Sequence, residues 1–313
     1  PDGARGAVAV NIAVVFPGQG SQAPGAGVLW QGTPAWSVVE EAEAATGLPL
    51  AALLTDPDAD LTDTRSSQLS VLLASLVAWR ALEPTLAADA VVGVAGHSLG
   101  QVTACIAAGA LSTADGVRLA VARADASAAA QAARPGGMLA LLGADEATGA
   151  RACEAAPDQA WVANVNGASQ VVVGGDVEAL DLVAERATEL GVRRVRRLAV
   201  DGAFHTPLLE PAAAALAPTL ASIAFRAPSV PIVTNHDAAA VTTADGWPER
   251  LTTHLVSPVR WADVVEGLVA LGADAFVEVG PGTTLGGLVR RVAPEVEVRS
   301  VSSPDDLLQE AGR

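Results

Sequence analysis

The sequence predicts an α/β fold in which a ferredoxin-like subdomain is inserted into a larger parallel-sheet domain. Short apolar runs alternate with helical stretches along most of the 313 residues, which is typical of a parallel α/β architecture. Between residues 134 and 200 the order changes to βαββαβ, the split-βαβ unit of ferredoxin-like folds. Half of the residues are hydrophobic, so the chain has enough apolar side chains for a sizeable core.

The first part of the large domain, residues 8–133, opens with a buried strand. The apolar run 10–16 predicts this strand, and the turn 17–20 (PGQG) ends it. Thr33 and Pro34 then predict the N-cap and the first position of a helix. The pattern continues with helices at 34–45, 66–82, 101–110 and 113–133 and with a buried strand at 90–95.

The inserted subdomain, residues 134–200, begins where the pattern changes at 134–137 (RPGG). After it, residues 201–313 resume the α/β pattern of the large domain, with short strands at 231–234 and 275–279. Within the insertion we predict strands at 138–142, 161–165, 170–174 and 192–200 and helices at 145–155 and 177–190.

Composition excludes several classes of function. The chain carries 35 acidic and 19 basic residues, and a net charge of -16 argues against non-specific nucleic-acid binding. Cys105 and Cys153 form no Cys-x-x-Cys pair, so we expect neither a metal site nor a disulfide framework. No apolar run reaches membrane-spanning length and no secretory signal is recognisable, which predicts a cytoplasmic protein without a membrane contact. Residues 1–9 are expected to be partly leader.

The segment 96–100 (GHSLG) fits the G-x-S-x-G pattern of a nucleophile elbow. The predicted strand before it and the helix after it stand where the motif needs them, and the glycines permit a tight, strained turn. The helix N-terminus would place amide N–H groups near developing negative charge. We therefore predict that Ser98 is a nucleophile; the alternative is a tight turn in which the serine only caps the helix.

A neutral serine needs a base, and the chain has four histidines. His97 is adjacent to Ser98, so its side chain is expected to point away and to form part of the pocket wall. His205 follows the inserted unit among small and apolar neighbours, which leaves its imidazole free to reach a cleft. From the residues alone, His205 is a candidate base or an ordinary loop histidine.

Taken together, these residues resemble the malonyl-CoA:acyl carrier protein transacylase family, which includes the acyltransferase domains of fatty acid and polyketide synthases. The resemblance covers about residues 10–295, and Arg123 follows Ser98 at the family's spacing. The other signatures, in the family's order, are FPGQGSQ at 16–22, GHSLG at 96–100, GGM at 136–138, NVN at 164–166, AFH at 203–205, SPV at 257–259 and VGPG at 279–282.

The resemblance implies a role for each site residue. Ser98 would attack the thioester, and His205 would take its proton and then activate the phosphopantetheine thiol. The remaining implied residues are the backbone N–H groups of Gln19 and Leu99 as the oxyanion hole, Arg123 as the partner of the malonyl carboxylate, and Phe204, His97, His254 and Asn166 as further substrate-binding residues. It also implies an acyl carrier protein as partner, a coenzyme A thioester as substrate, no bound cofactor or metal, and a monomer.

Three residues depart from the family's pattern. In the family, a backbone carbonyl orients the histidine base, from a residue that is usually Gln or Asn and is His254 here. Gln101 replaces the usual Glu, which removes one charge near the cleft. Ser127 stands where a bulky Met is common and predicts a larger acyl pocket, whereas Phe204 is typical of malonyl selection, because its ring would clash with a branched acyl group.

Four competing functions follow from the same residues. A hydrolase of this fold that clears acyl groups from carrier proteins would share Ser98 and His205, although Arg123 favours transfer of a carboxylated group. A transferase for a larger acyl group is a further alternative. An ordinary esterase would need an acidic triad member between the serine and the histidine, and a non-catalytic scaffold would not need the three residues intact.

The densest basic run, residues 193–197, lies on the last predicted strand of the insertion. The resemblance implies an acidic carrier protein, so docking to this acidic chain needs a local basic patch. Alternate side chains of a strand share a face, which puts Arg193 and Arg197 on one side and Arg194 and Arg196 on the other. We predict that at least one pair faces solvent and docks the carrier protein; the alternative is that these arginines only solvate an exposed face.

Overall fold

The computed structural model describes residues 10–310. Within this range, the large domain is built on a six-stranded sheet with the strand order β10-β9-β1-β2-β7-β8. Its strands pair in parallel except at the edge, where β8 is antiparallel to β7. These strands are β1 (Ile12–Phe16), β2 (Val91–Gly96), β7 (Ile232–Val233), β8 (Ala240–Val241), β9 (Ala275–Val279) and β10 (Glu297–Val301).

Helices cover both faces of this sheet, which fits the full burial of β1 and β9. Four short 3-10 helices lie at Val28–Trp30, Pro34–Trp36, Glu83–Thr85 and Pro207–Leu209. The α-helices of the described range are α1 (Ser37–Thr46), α2 (Ala52–Thr55), α3 (Thr64–Leu82), α4 (Gly100–Ala107), α5 (Thr113–Ala133), α6 (Glu146–Cys153), α7 (Ala179–Glu189), α8 (Glu210–Ser222), α9 (Trp247–Val256), α10 (Trp261–Ala270), α11 (Thr284–Val292) and α12 (Pro304–Glu310).

The inserted subdomain is a four-stranded antiparallel sheet with the order β4-β5-β3-β6. Helices α6 and α7 cover one face, where a separate apolar cluster includes Leu139, Leu141 and Val183. The chain order βαββαβ confirms the predicted ferredoxin-like unit in a hydrolase-like parallel-sheet core, while the predicted limits 8–133, 134–200 and 201–313 stay a prediction. The strands are β3 (Gly136–Leu142), β4 (Ala160–Gly167), β5 (Gln170–Asp176) and β6 (Arg194–Arg197).

One backbone ladder joins the subdomain to the large domain beside the cleft. The outer edge of β4 pairs with the segment before α10, where the Val165 N–H donates to the Val259 carbonyl at 2.8 Å. The Val259 N–H in turn donates to the Ala163 carbonyl at 2.9 Å. This pairing brings two distant sequence signatures, 164–166 and 257–259, to the same wall of the cleft.

The structure corrects several predicted elements. The strand predicted at 192–200 ends at Arg197, because residues beyond Leu198 leave the sheet and lead to His205. Thr33 does not cap a helix through its side chain, whose hydroxyl donates to the Trp30 carbonyl instead. The edge strands β8 and β10 were not predicted. The predicted leader at residues 1–9 lies outside the described residues, and within those residues no helix is long and apolar enough to span a membrane.

Candidate active site

The loop between β2 and α4 is a strained elbow with Ser98 at its apex. Ser98 has a φ of 53°, a conformation that residues with a side chain seldom adopt. The elbow closes tightly, because a Cβ added to Gly96 would lie 1.9 Å from the Gly100 carbonyl oxygen. Only glycine fits at that position, which is why the strand can turn directly into the helix and hold the serine away from both.

His205 meets Ser98 from the chain that leaves the inserted subdomain. Its Nε2 lies 2.6 Å from the Ser98 Oγ, and its Nδ1 lies 2.9 Å from the His254 carbonyl oxygen. A carbonyl can only accept a hydrogen bond, so Nδ1 carries the proton and donates. Nε2 of the neutral ring is then left to accept the Ser98 hydroxyl proton, which is the tautomer that a general base needs.

The protein keeps this imidazole neutral. Burial lowers the pKa of His205 to about 3, and the positive charge of Arg123 contributes to the lowering. Within the described chain, the hydrogen-bond partner of Nδ1 is a backbone carbonyl and no carboxylate bonds to the ring. The acidic triad member of an ordinary esterase is therefore absent from this part of the chain.

Arg123 is buried on α5, at the floor of the site. Its Nη2 donates to the Ser98 Oγ at 3.1 Å, and its Nη1 donates to the Gln68 Oε1 at 2.6 Å. Gln68 in turn donates from Nε2 to the Gln19 side-chain oxygen at 3.3 Å. Burial lowers the pKa of Arg123 to about 10, and the guanidinium still carries its charge at neutral pH.

No acidic side chain pairs with Arg123 among residues 10–307, whose side chains the structure describes. A buried guanidinium without a carboxylate is costly unless a ligand supplies the counter-charge. The arrangement can therefore bind an anionic group of a substrate next to the Ser98 hydroxyl.

The two backbone N–H groups predicted as the oxyanion hole have no hydrogen-bond partner within the described residues. They belong to Gln19, in the turn after β1, and to Leu99, which directly precedes α4. The Ser98 N–H is engaged elsewhere, since it donates to the Asn235 Oδ1 at 2.8 Å. The predicted role of Gln19 and Leu99 as the oxyanion hole stays a prediction.

The remaining predicted substrate-binding residues line the same cavity or adjoin it. The cavity wall includes His97 and Phe204 together with Gln19, Ser98 and His205, as well as Met138, Asn164, Leu198 and Val200. The His97 Nε2 donates to the Asn166 Oδ1 at 3.1 Å, and this hydrogen bond restrains both side chains. Burial lowers the pKa of His97, and the hydrogen bond to Asn166 opposes that effect.

The three departures from the family's pattern have different structural outcomes. The His254 carbonyl reaches His205 whatever the side chain is, and the two imidazole rings lie 5.0 Å apart, between ring centroids. Gln101 is fully buried and accepts the Asn235 N–H at 2.7 Å. Ser127 is fully buried too and does not line the cavity at Ser98, so a larger acyl pocket stays a prediction.

The four arginines of the predicted docking surface are exposed. Arg197 pairs in register with Leu139, so it lies on the α6–α7 face, where it forms an ion pair with Asp181 at 2.7 Å. Arg196 pairs with Ala140 and Arg194 with Leu142, which places them on the opposite face. Arg197 also lines a groove with Leu198 and Val200, and these two residues adjoin the cavity at Ser98.

Sequence reasoning missed Gln68 and Asn235. Gln68 lies in the polar first turns of α3, beside Ser67 and Ser70, and is almost fully buried, so the local sequence gave no clear signal. Asn235 follows a two-residue strand and gave no clear signal either. No cluster of three or more His, Cys, Asp or Glu side chains suited to a metal ion occurs in the part of the chain that the structure describes.

The parallel core, the inserted ferredoxin-like unit and the serine elbow are the architecture of a serine-dependent enzyme that transfers or hydrolyses acyl groups, and the comparisons with known proteins identify an acyltransferase. The sequence matches the acyl transferase domain family over residues 13–302, and the chain belongs to the malonyl-CoA:acyl carrier protein transacylase family. It is 36% identical over 301 residues to the malonyl CoA-acyl carrier protein transacylase of Escherichia coli K12, an alignment that covers 94% of this chain and 96% of that protein.

Solved structures show the same similarity. The acyl-carrier-protein S-malonyltransferase of Burkholderia pseudomallei superposes with a TM-score of 0.91 at 34% identity, covering 97% of this chain and 100% of that one. A malonyl-transacylase solved in complex with its type II PKS acyl-carrier protein superposes with a TM-score of 0.90 at 32% identity, covering 96% and 99%.

Proposed function

We propose that this chain transfers a malonyl group from coenzyme A, through a Ser98 acyl-enzyme, to the phosphopantetheine thiol of an acyl carrier protein in fatty acid or polyketide biosynthesis. The buried guanidinium of Arg123, 3.1 Å from the Ser98 Oγ and without a carboxylate partner among residues 10–307, supports a carboxylated acyl group. The names of the similar proteins support both the malonyl donor and the carrier-protein acceptor.

The geometry supports a two-stage reaction. In the first stage, the Ser98 Oγ attacks the thioester carbonyl while the His205 Nε2 takes the hydroxyl proton. The N–H groups of Gln19 and Leu99 stabilise the oxyanion, and the coenzyme A thiolate leaves with the proton from His205. In the second stage, His205 takes the proton of the phosphopantetheine thiol and the thiolate attacks the Ser98 ester. The acyl group leaves on the thiol sulfur, and the proton passes from His205 to the Ser98 oxygen.

The proposal is tested by mixing the protein with a panel of acyl-CoAs and measuring its intact mass. We expect a malonyl adduct that disappears when a carrier protein bearing phosphopantetheine is added, with the malonyl group appearing on the carrier. Preferential acylation by a larger acyl-CoA would assign the enzyme to that substrate instead. Loss of the adduct to water at the same rate with and without the carrier would identify a thioester hydrolase.

The same proposal includes finer predictions from the sequence: a cytoplasmic monomer that works without a bound cofactor. Size-exclusion chromatography with light scattering tests the monomer. Full transfer activity after exhaustive dialysis against a chelator, with the metal content measured, tests independence from a metal.

The burial of His205 predicts that kcat/KM is retained to an unusually low pH. Only the neutral imidazole acts as the base, and its pKa of about 3 keeps it neutral well below pH 6.5. The acidic limb of kcat/KM should therefore lie far below pH 6.5. Arg123 contributes to the lowered pKa, so Arg123→Gln should raise the pKa of His205 and move the acidic limb to higher pH.

Acetyl-CoA is the donor for both enzymes in this comparison, because the malonyl carboxylate itself titrates at low pH. Activity regained on return to pH 7 shows that the low-pH samples were not denatured. A wild-type limb at pH 6.5 or above would contradict a buried, neutral base, and an unmoved limb in Arg123→Gln would contradict the electrostatic coupling.

The basic run 193–197, which includes β6, is the proposed docking surface for the carrier protein. Reversing Arg193 and Arg197 to Glu should raise the KM for the carrier several-fold and leave self-acylation by malonyl-CoA intact. The salt dependence of the second stage should fall as well, since surface charges are screened within about 8 Å at physiological ionic strength. Steady-state kinetics over a range of carrier concentrations and salt measures both effects.

A matched double variant, Arg151→Glu with Arg186→Glu, reverses two arginines on α6 and α7 instead. It changes the net charge by the same amount, so it should leave the KM for the carrier close to the wild-type value. Unchanged carrier kinetics in the Arg193 and Arg197 variant, or equal effects in both variants, would show that β6 is not the docking surface.

A further inference from the structure

Asn235 holds the Ser98 elbow through both atoms of its side-chain amide. Its Oδ1 accepts the Ser98 N–H at 2.8 Å, and its Nδ2 donates to the Gly96 carbonyl at 2.8 Å. The amide therefore links the last residue of β2 to the apex of the elbow. Asn235 is fully buried, so water cannot replace either hydrogen bond.

Asn235 is itself fixed by backbone contacts on both sides. Its N–H donates to the Gln101 Oε1 in the first turn of α4 at 2.7 Å, and its carbonyl accepts the Arg260 N–H at 2.8 Å. Asn235 follows β7, which pairs in parallel with β2. The sheet therefore places its side-chain amide beside the elbow that follows β2. Asn235 is thus hydrogen-bonded to the end of β2, to the apex of the elbow and to the first turn of α4.

This contact has two consequences for the reaction. It engages the Ser98 N–H, which is then not free to donate to an oxyanion. It also opposes relaxation of the strained apex, where Ser98 keeps its φ of 53°. A strained loop residue keeps such a geometry only when its surroundings hold it there.

We infer that Asn235 is a positioning residue for the nucleophile, and that Gln101 acts through it by fixing the Asn235 backbone. The inference rests on the proposed function only in so far as Ser98 is the nucleophile. It assigns a role to Gln101, where a carboxylate is common in the family: either an amide or a carboxylate oxygen can accept the Asn235 N–H.

The test is the rate of Ser98 modification in variants whose folding is checked by thermal melting. Asn235→Leu keeps much of the side-chain volume and loses both hydrogen bonds, so acylation should slow by roughly 10- to 100-fold, as expected for a small displacement of a reacting atom. The Kd for malonyl-CoA, measured in the Ser98→Ala background with and without Asn235→Leu, should not change. A purely structural role would not separate the rate from the binding in this way.

A second pair of variants keeps the test valid if Asn235→Leu does not fold. Gln101→Met removes the acceptor for the Asn235 N–H and should slow acylation, whereas Gln101→Glu keeps an acceptor and should stay near the wild-type rate. The matched control is Thr234→Val, because Thr234 is also fully buried and hydrogen-bonded but touches Asp237 and Ala239, not the elbow.

A serine-directed fluorophosphonate is used beside malonyl-CoA, because it reports the reactivity of Ser98 whatever the natural acyl donor is. Slower labelling of Asn235→Leu and Gln101→Met, but not of Thr234→Val, supports the inference even if malonyl-CoA proves to be the wrong donor. Wild-type labelling rates in folded Asn235→Leu, or an equal loss in Thr234→Val at matched stability, would overturn it.

Discussion

Ser98→Ala is expected to form no acyl-enzyme and to lose a factor on the order of 10⁴ or more in the transfer rate. The reason is chemical: alanine has no oxygen to attack the thioester, and the covalent route through the enzyme is closed. Ser98 lies at the apex of a tight elbow, so removing its hydroxyl leaves the surrounding backbone contacts in place. Intact mass and steady-state transfer measure the two losses.

His205→Ala is the companion variant, and it should slow both stages by about 10²- to 10⁴-fold, the usual contribution of a general base. It retains Ser98, so a slow adduct should still form over long incubation. A stable acyl adduct in Ser98→Ala would show that the nucleophile is misassigned, and normal transfer by His205→Ala would remove His205 from the mechanism.

Arg123→Ala should lose malonyl transfer and gain relative activity towards acetyl-CoA. Without the guanidinium, the malonyl carboxylate would enter a buried site unpaired, at a cost of about 2–5 kcal/mol, or roughly 30- to 5,000-fold in kcat/KM. Acetyl has no carboxylate and is spared this cost. The ratio of kcat/KM for malonyl-CoA to that for acetyl-CoA is the quantity to measure.

Two further variants separate recognition from folding. Arg123→Lys keeps the positive charge and loses the planar guanidinium. Its ratio of kcat/KM for malonyl-CoA to that for acetyl-CoA should therefore fall between the ratios of the wild type and Arg123→Ala. Arg118→Ala removes an exposed arginine from the same helix and should leave the ratio unchanged. Equal losses for both donors in Arg123→Ala would show that this residue supports the fold instead of the substrate.

The local signals in the sequence predicted most of the architecture. Periodicity and turn residues placed α5 at 113–133 and β9 at 275–279, where the structure has them. The elbow was recognisable because its requirements are local: glycines on both sides of Ser98, a strand before it and a helix after it. The order of seven short signatures then indicated the family, whose membership the comparisons confirm.

What the sequence could not predict depends on contacts between distant parts of the chain. Gln68 lies 55 residues from Arg123, and Asn235 lies 137 residues from Ser98. Neither contact is visible in the local sequence pattern, since a single amide in a helix or after a short strand has many possible partners. The edge strand β10 was missed because its charged residues Glu297 and Arg299 make the segment resemble an exposed loop as much as a strand.

The central claim is that an acyl group passes through Ser98 to a carrier protein. The most direct measurement is a single-turnover chase, in which the malonyl-enzyme is isolated, the adduct is mapped by peptide mass spectrometry, and a carrier protein bearing phosphopantetheine is added. We expect one malonyl group on Ser98 that moves to the carrier thiol much faster than it is lost to water. A malonyl group on another residue, or one that the carrier does not accept, would contradict it.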